Sequence, residues 1–484
     1  MDSKYVVAIE IGSSLVKGAI GVVDDIGTLK VCAVECRDIV DCVRYGCIQN
    51  VEEVRATVAD IVIALETRTN ISPRKIKSVY VALGGRSLQS YKRELEHNFE
   101  QETEITSEVI NQLLDQAHLE SFIEKDIADV LPIGFEVDNM KHTKPKGTYG
   151  HNLKVTLNII ACRPQIIKNI RRVLEDKMQL QINDFITRQR AIADLVLSLN
   201  ETQLGCVLVD FGAETTTVSV HKAGALQSLV TIPLGSRNIT RDLTSLSITE
   251  EQAEKIKRNN VNANSNAAPS EWGKMVVEGI DDVEINKYVQ ARASEIVANI
   301  IAQIKASGLK NAELSEGIVV VGGGAKLKGF NSLLETNSSL KVRSGMLPAK
   351  IQIADNSIQP GDAIDVIAVL YAAIQSNKEA IVNCMTVVEP EQISGEDVVI
   401  EIGTNDSNTN VENIDDDDDG YDDDGYDDDG YDDDGYDDDG YSNEGDPQPK
   451  PKGRKNWFIA LKKRLEETLG EALDEDPNEN NVAN

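Results

Sequence analysis

None of the chain's seven cysteines forms a Cys-x-x-Cys pair, and no histidine stands near the cluster of Cys32, Cys36, Cys42 and Cys47. That leaves no zinc set in the cluster, and reduced, mostly buried thiols in a cytosolic protein are expected. No apolar run is long enough to span a bilayer, and residues 1–11 lack the basic start and apolar stretch of a secretory signal. Positive charge is scarce, with 49 Lys and Arg against 81 Asp and Glu and a net charge of −32. Seventeen of the acids are aspartates in residues 415–439, and without them about −15 remains, which still speaks against a nucleic-acid partner. A length of 484 residues allows two to four domains, and the 41% hydrophobic content is ordinary for a soluble protein with a polar tail.

What is present begins with a stretch that occurs twice. In residues 205–220 apolar residues run into Asp210, a glycine turn follows at Gly212, and Val218 and Val220 then alternate with polar neighbours. The pattern predicts a β-hairpin whose tip gathers Asp210, Gly212 and the donors from Ala213 to Thr216. Glycine lets backbone N–H groups approach an anion, and hydroxyls donate to phosphate oxygens. The acid alone would repel phosphate, so a hydrated Mg²⁺ bridging the two is expected. Residues 7–20 repeat the plan 200 residues earlier, with Glu10 for Asp210 and Gly12 for Gly212. Two such units opening two successive halves predict a duplicated α/β domain. A third element lies in residues 317–330, where a buried strand runs into Gly322, Gly323 and Gly324 and then a helix. Such a turn brings backbone N–H groups up to an anion or a flat purine ring. It comes too late in the chain, and without an acid about twenty residues on, for a Rossmann fingerprint.

Between these motifs, residues 29–39 read as a strand pair and residues 51–67 as a helix burying Val54, Val58, Ile61, Val62 and Leu65. Residues 78–83 read as a buried strand ending in Gly84-Gly85, which either lines a cleft or simply turns. From about 86 to 160, alternating charged segments, a helix at 107–116 and strands at 127–138 and 153–162 predict a small α+β insertion. It carries no catalytic constellation; His97, His118, His142 and His151 read as solvated loop residues, and the insert as an interaction surface. Further helices are expected at 163–177, 250–258 and 281–306, with an apolar stripe through 184–199.

Together the three motifs resemble the actin/Hsp70/sugar-kinase superfamily, in which two duplicated halves clasp ATP. The Glu10-Ile11-Gly12-Ser13 variant, the insertion, and a long linker ending in a basic amphipathic helix resemble the FtsA family, the actin-like proteins of bacterial cell division. The resemblance covers roughly residues 4 to 386 and resumes at the C-terminal helix. It implies an α/β fold of the duplicated actin-like ATPase type, with 1–85 and 161–204 forming a first lobe, 86–160 the inserted α+β domain, 205–350 a second lobe and 351–388 a return to the first. By matching motif, Gly12, Ser13, Ser14 and Lys17 would hold the β- and γ-phosphates of ATP. Asp210, Gly212, Glu214 and Thr215 would form the second phosphate loop, with Glu10 and Asp210 placing Mg²⁺ through water and Gly235 at the cleft. Glu254 and Lys257 would reach the ribose and adenine, and Gly322, Gly323, Gly324 and Lys326 the nucleoside. Glu10 stands where the superfamily usually has aspartate, and Ala213 where it has glycine; both leave ATP binding expected and argue against fast hydrolysis. Gln189 falls either where relatives orient the attacking water or on the plain surface of a helix.

After Val388 the apolar periodicity ends. Residues 415–441 repeat Asp-Asp-Asp-Gly-Tyr, which cannot bury a core against its own charge and reads as a disordered acidic linker over 389–453. The repeat lacks the spacing of a calcium-binding loop. The sign then flips, with seven Lys or Arg and no acid in residues 450–464. In a helix over 454–473, Trp457, Phe458, Leu461, Leu465 and Leu469 fall within an arc of about 120°. Lys455, Lys462, Lys463 and Arg464 complete the pattern of a helix lying in the interface of an anionic membrane. The family resemblance implies a peripheral protein on the cytoplasmic side of the inner membrane at the division site. There it would form filaments, tether the tubulin-like FtsZ ring and recruit later division proteins. A small-molecule kinase of the same superfamily would need a general-base aspartate facing the γ-phosphate, and an Hsp70-like chaperone a β-rich domain after residue 390; neither is found.

Overall fold

Near-continuous Val/Ile runs, buried on both faces, set up the first lobe. The computed structural model describes residues 4–23, 28–69, 75–118, 122, 124–142, 144–259, 261–264, 282–354, 360–376 and 381–386, all within one compact unit. β1 (Lys4–Ile11), β2 (Leu15–Val23) and β3 (Leu29–Asp38) form an antiparallel meander in which Glu10 faces Lys17 across the ladder. Residues 29–39, expected as a strand pair, are thus one strand, because β2 supplies its partner. A small hairpin of β4 (Val43–Arg44) and β5 (Cys47–Ile48) leads into α1 (Val51–Arg68). Asn50 caps α1 by accepting from Glu53 N, and Val54, Val58, Ile61 and Leu65 form its buried stripe. Beyond β6 (Lys75–Ile76), β7 (Ser78–Leu83) lies parallel to β1.

The insertion follows as β8 (Gln89–Glu104), α2 (Ser107–His118), β9 (Asp126–Val137), β10 (Met140–His142) and β11 (Tyr149–Cys162). Its own core includes Ile105, Leu113, Leu153, Val155 and Leu157. His97, His142 and His151 sit on strands and His118 in the last turn of α2, so they are not loop residues. The chain returns to the first lobe through α3 (Pro164–Arg171), which continues as a π-helical turn over Arg172–Lys177. Then come β12 (Gln181–Thr187), α4 (Arg188–Val196) and α5 (Leu199–Leu204).

The second lobe repeats the first. β13 (Cys206–Phe211), β14 (Thr216–Lys222) and β15 (Ala225–Ile232) form the meander, with Asp210 facing Thr217 as Glu10 faces Lys17. α6 (Ser236–Leu243), α7 (Glu250–Asn259) and α8 (Asp282–Ala306) lead to β16 (Ile318–Val321), which lies parallel to β13. The glycines after β16 turn through a short 3₁₀ segment, and α9 (Phe330–Ser338) begins only after Gly329. β17 (Val342–Ser344) closes this half. The strand order β12-β7-β1-β2-β3 in one lobe matches β17-β16-β13-β14-β15 in the other. β18 (Gln352–Ile353) then joins β3, α10 (Ile364–Ser376) packs against β1, β2 and α4, and β19 (Met385–Thr386) pairs with β6.

The insertion's sheet does not stand alone. β8 meets β15 at Gln89 and Val230, Leu229 N donates to Ser90 Oγ, and the buried Asn158 donates to Leu226 O. The result is a nine-stranded sheet running through insertion and second lobe.

Candidate functional site

The two meanders end in the same turn. Gly12 N donates to Leu15 O at 3.0 Å, and Gly212 N donates to Thr215 O at 2.9 Å. A Cβ at either glycine would stand 2.8–2.9 Å from that same carbonyl, so the tightness of the turn demands glycine. Glu10 and Asp210 close β1 and β13 just before these turns, and each side chain is only 6% exposed.

Between the two acids lies a residue the sequence reading passed over. Arg188, the first residue of α4, places Nη1 2.7 Å from Glu10 Oε1 and Nη2 2.8 Å from Asp210 Oδ2. A guanidinium thus lies between the two acids expected to place a water-held Mg²⁺. Lys17, expected to meet phosphate, pairs with Asp365 in the first turn of α10 and lies 3.5 Å from Glu10 Oε2. Burial, and then the Asp365 charge, push Glu10 up to about 7 against the pull of Lys17 and Arg188. Burial works against the charged form of Asp365 as well, but Lys17, by its charge and its hydrogen bond, and the Arg188 charge hold its carboxyl below the usual range. Burial likewise opposes the charge of Lys17 and Arg188, and the surrounding carboxylates outweigh it and raise both. Glu10 Oε2 and Asp210 Oδ2 are both buried with no hydrogen-bond partner, so the contact of Arg188 with Asp210 is an ion pair rather than a hydrogen bond. Glu10 and Arg188 border a cavity of about 30 Å³, also lined by Gly12, Ser13, Gly46, Gly84, Gly85 and Thr215.

From the second lobe, Gly322 (φ +90°) passes so near Asp210 that a Cβ would stand 2.6 Å from Oδ1. Gly324 packs on the Phe211 ring, whereas Gly323 faces open space.

The family profile described as "Cell division protein FtsA" matches residues 207–359, and "SHS2 domain inserted in FTSA" matches residues 85–161. The cell division protein FtsA of Porphyromonas gingivalis is 30% identical over 387 residues, 78% of this chain and 79% of that protein. The chain belongs to the FtsA family. The Bacillus subtilis FtsA is 30% identical over 285 residues, 57% of this chain and 64% of its own length. A solved PilM–PilN type IV pilus biogenesis complex shares the fold alone, with 13% identity, a TM-score of 0.55, and coverage of 76% of this chain and 98% of that one.

In this FtsA-family chain the remaining site residues are distributed as follows. Ser13 and Thr215 line the cavity, and Ser14 O accepts from Ile39 N beside it. Glu214 turns away: Oε2 accepts from Tyr45 N of the first lobe at 2.7 Å, and Oε1 from Arg241 of α6 at 2.7 Å. Gly235 lets the hairpin tip press against α6, whose first amides Ser236 N and Arg237 N donate to Gly212 O and Ala213 O. Glu254 and Lys257 pair with each other on α7; Glu254 also accepts from Thr240 and Arg258, while Lys257 donates to Ser236 O and Thr240. Despite burial, these cations and Thr240 hold the Glu254 carboxyl at about 2. Lys326 pairs with Asp362 near the surface. Gln189 is neither a cleft residue nor a surface one. It is buried, donating to Leu208 O and Ser219 Oγ, because its place beside Arg188 turns it into the core. Lys455, Trp457, Phe458, Leu461, Lys462, Lys463, Arg464, Leu465 and Leu469 lie outside the described residues, as does the aspartate repeat.

Proposed function

We propose that this FtsA-family chain is an ATP-binding, self-associating adaptor that ties the FtsZ ring to the cytoplasmic face of the inner membrane at the division site. In this reading it also recruits later division proteins. The observation that carries the nucleotide half is the pair of matching glycine turns, one from each duplicated lobe, facing each other beside the Gly322–Gly324 turn. Gly12, Ser13, Ser14 and Thr215 would hold the phosphates, and the open face of Gly323 would admit the nucleoside. Bound ATP would supply a γ-phosphate whose presence or loss distinguishes two states of the cleft. Nucleotide entering between the lobes would link occupancy to lobe angle and so to filament contacts.

The membrane half is carried by the sequence of 454–473. A large apolar side chain contributes about 1.5–3 kcal/mol when fully buried, and each lysine near anionic lipid contributes about 1 kcal/mol. One tail therefore binds reversibly, and a filament multiplies the effect. Sedimentation with phosphatidylglycerol-containing vesicles, with and without residues 454–484, tests this half; fluorescent ATP titration tests the other. Vesicle binding that survives the truncation would refute the first, and absence of ATP binding the second.

A further inference from the structure

Arg188 opens α4, where a positive charge works against the helix dipole. Its guanidinium, on a side chain 16% exposed, is nonetheless held between one carboxylate of each lobe, at 2.7 and 2.8 Å, and lies along Gly84, where a Cβ would stand 3.5 Å from Cζ. It borders the cavity that Gly12, Ser13 and Thr215 also line, so a positive charge already stands where the two turns converge. Among the described residues no group of three or more His, Cys, Asp or Glu is placed to hold a metal ion. A divalent cation entering between Glu10 and Asp210 would have to displace a tethered, permanently charged partner that hydrogen-bonds Glu10 and forms an ion pair with Asp210. Lys17 does not fill this place, since Asp365 and Glu10 engage it.

We propose that Arg188 takes the place of the divalent cation at this site, so that the protein binds nucleoside triphosphate with little dependence on Mg²⁺. The inference deepens the nucleotide reading above and rests on it. Two edges of the guanidinium neutralise the acids that would otherwise repel phosphate. A guanidinium carries five N–H donors, and those beyond the two carboxylate contacts match phosphate oxygens in fork geometry.

The test is a titration of full-length protein with N-methylanthraniloyl-ATP, followed by anisotropy, in Mg²⁺ and in EDTA, for the wild type and Arg188→Gln. Removing the metal is expected to change the wild-type Kd by less than about threefold, within the worth of a single weak contact. In Arg188→Gln it should raise Kd about tenfold or more, because the two acids are then open to Mg²⁺ and dependent on it. A wild-type Kd that rises about tenfold in EDTA overturns the proposal while leaving nucleotide binding in place. Absence of wild-type binding in both buffers overturns both. If circular dichroism shows Arg188→Gln unfolded, Mn²⁺ titration of the nucleotide-free wild type by electron paramagnetic resonance decides: no tight Mn²⁺ site is expected, and finding one overturns the proposal.

Discussion

Glu214 offers a direct contest between a ligand-binding role and a clasp. Family resemblance puts it in the second phosphate loop, but its carboxylate is 1% exposed and spent on Tyr45 N of one lobe and Arg241 of the other. In Glu214→Gln the amide oxygen can serve one of these donors while its NH₂ group faces the N–H of the other. A hydrogen bond to a charged group is worth about 1.5–3 kcal/mol. Because the Arg241 side chain is 32% exposed, water takes over part of its share. The net loss is about 3 kcal/mol. With an unfolding entropy of about 2 cal/mol/K per residue, that lowers the melting temperature of a body this size by about 4 °C. Thermal melts followed by dye fluorescence measure the loss, and ATP titration of the same variant measures any direct contact. A melting temperature within about 1 °C of wild type, coupled with a large loss of ATP affinity, would refute the clasp and restore Glu214 to the phosphate loop.

His221 is buried beside Ser219 Oγ, and burial pushes it down to about 4. Its unfolded value is near 6.5, so the unfolded chain binds the extra proton between those values. Its contribution is complete above pH 6.5 and falls by about 3 kcal/mol as pH drops to 4; urea melts of His221→Gln should lose that slope, and an unchanged slope would contradict the assignment. Gly235→Ala should destabilise by about 1–3 kcal/mol, since its Cβ runs into the Ala213 carbonyl, whereas Gly323→Ala meets nothing within 4 Å and should leave stability within about 0.5 kcal/mol. If the nucleoside lies over Gly323, the second variant weakens ATP binding all the same; equal Kd values would move the nucleoside elsewhere. Deleting residues 415–441 should raise affinity for anionic vesicles at low salt, because the aspartates then no longer compete with lipid for the basic helix; unchanged sedimentation would dispose of that competition.

The duplicated meanders were legible because they are local: acid, glycine and hydroxyls stand within a few residues, and the same order recurs 200 positions later. α1 was legible for the same reason, with a 3.6-residue stripe behind an asparagine cap. The charge pattern of the cleft was not. Arg188 and Asp365 are single charged residues at the starts of two helices, and only the fold brings both to β1. A faint signal existed in Arg188, a cation at a helix N-terminus where an acid is favoured, and in Asp365, a lone acid heading a strongly apolar helix. Periodicity also could not tell Gln189 from Arg188, since neighbours on a helix face different ways. β12 was hidden because its burial is only partial along most of its length, so it lacks the Val/Ile run of β1 and β13.

The seam between β8 and β15 gives the insertion two masters. Its chain ends are covalently fastened to the first lobe, at β7 and α3, while its sheet edge is hydrogen-bonded to the second. A hinge between the lobes therefore cannot swing without either tearing the Gln89–Val230 junction or dragging the whole appendage along. Whatever docks on that appendage is mechanically geared to the angle of the jaws, even though it touches neither the nucleotide turns nor Arg188.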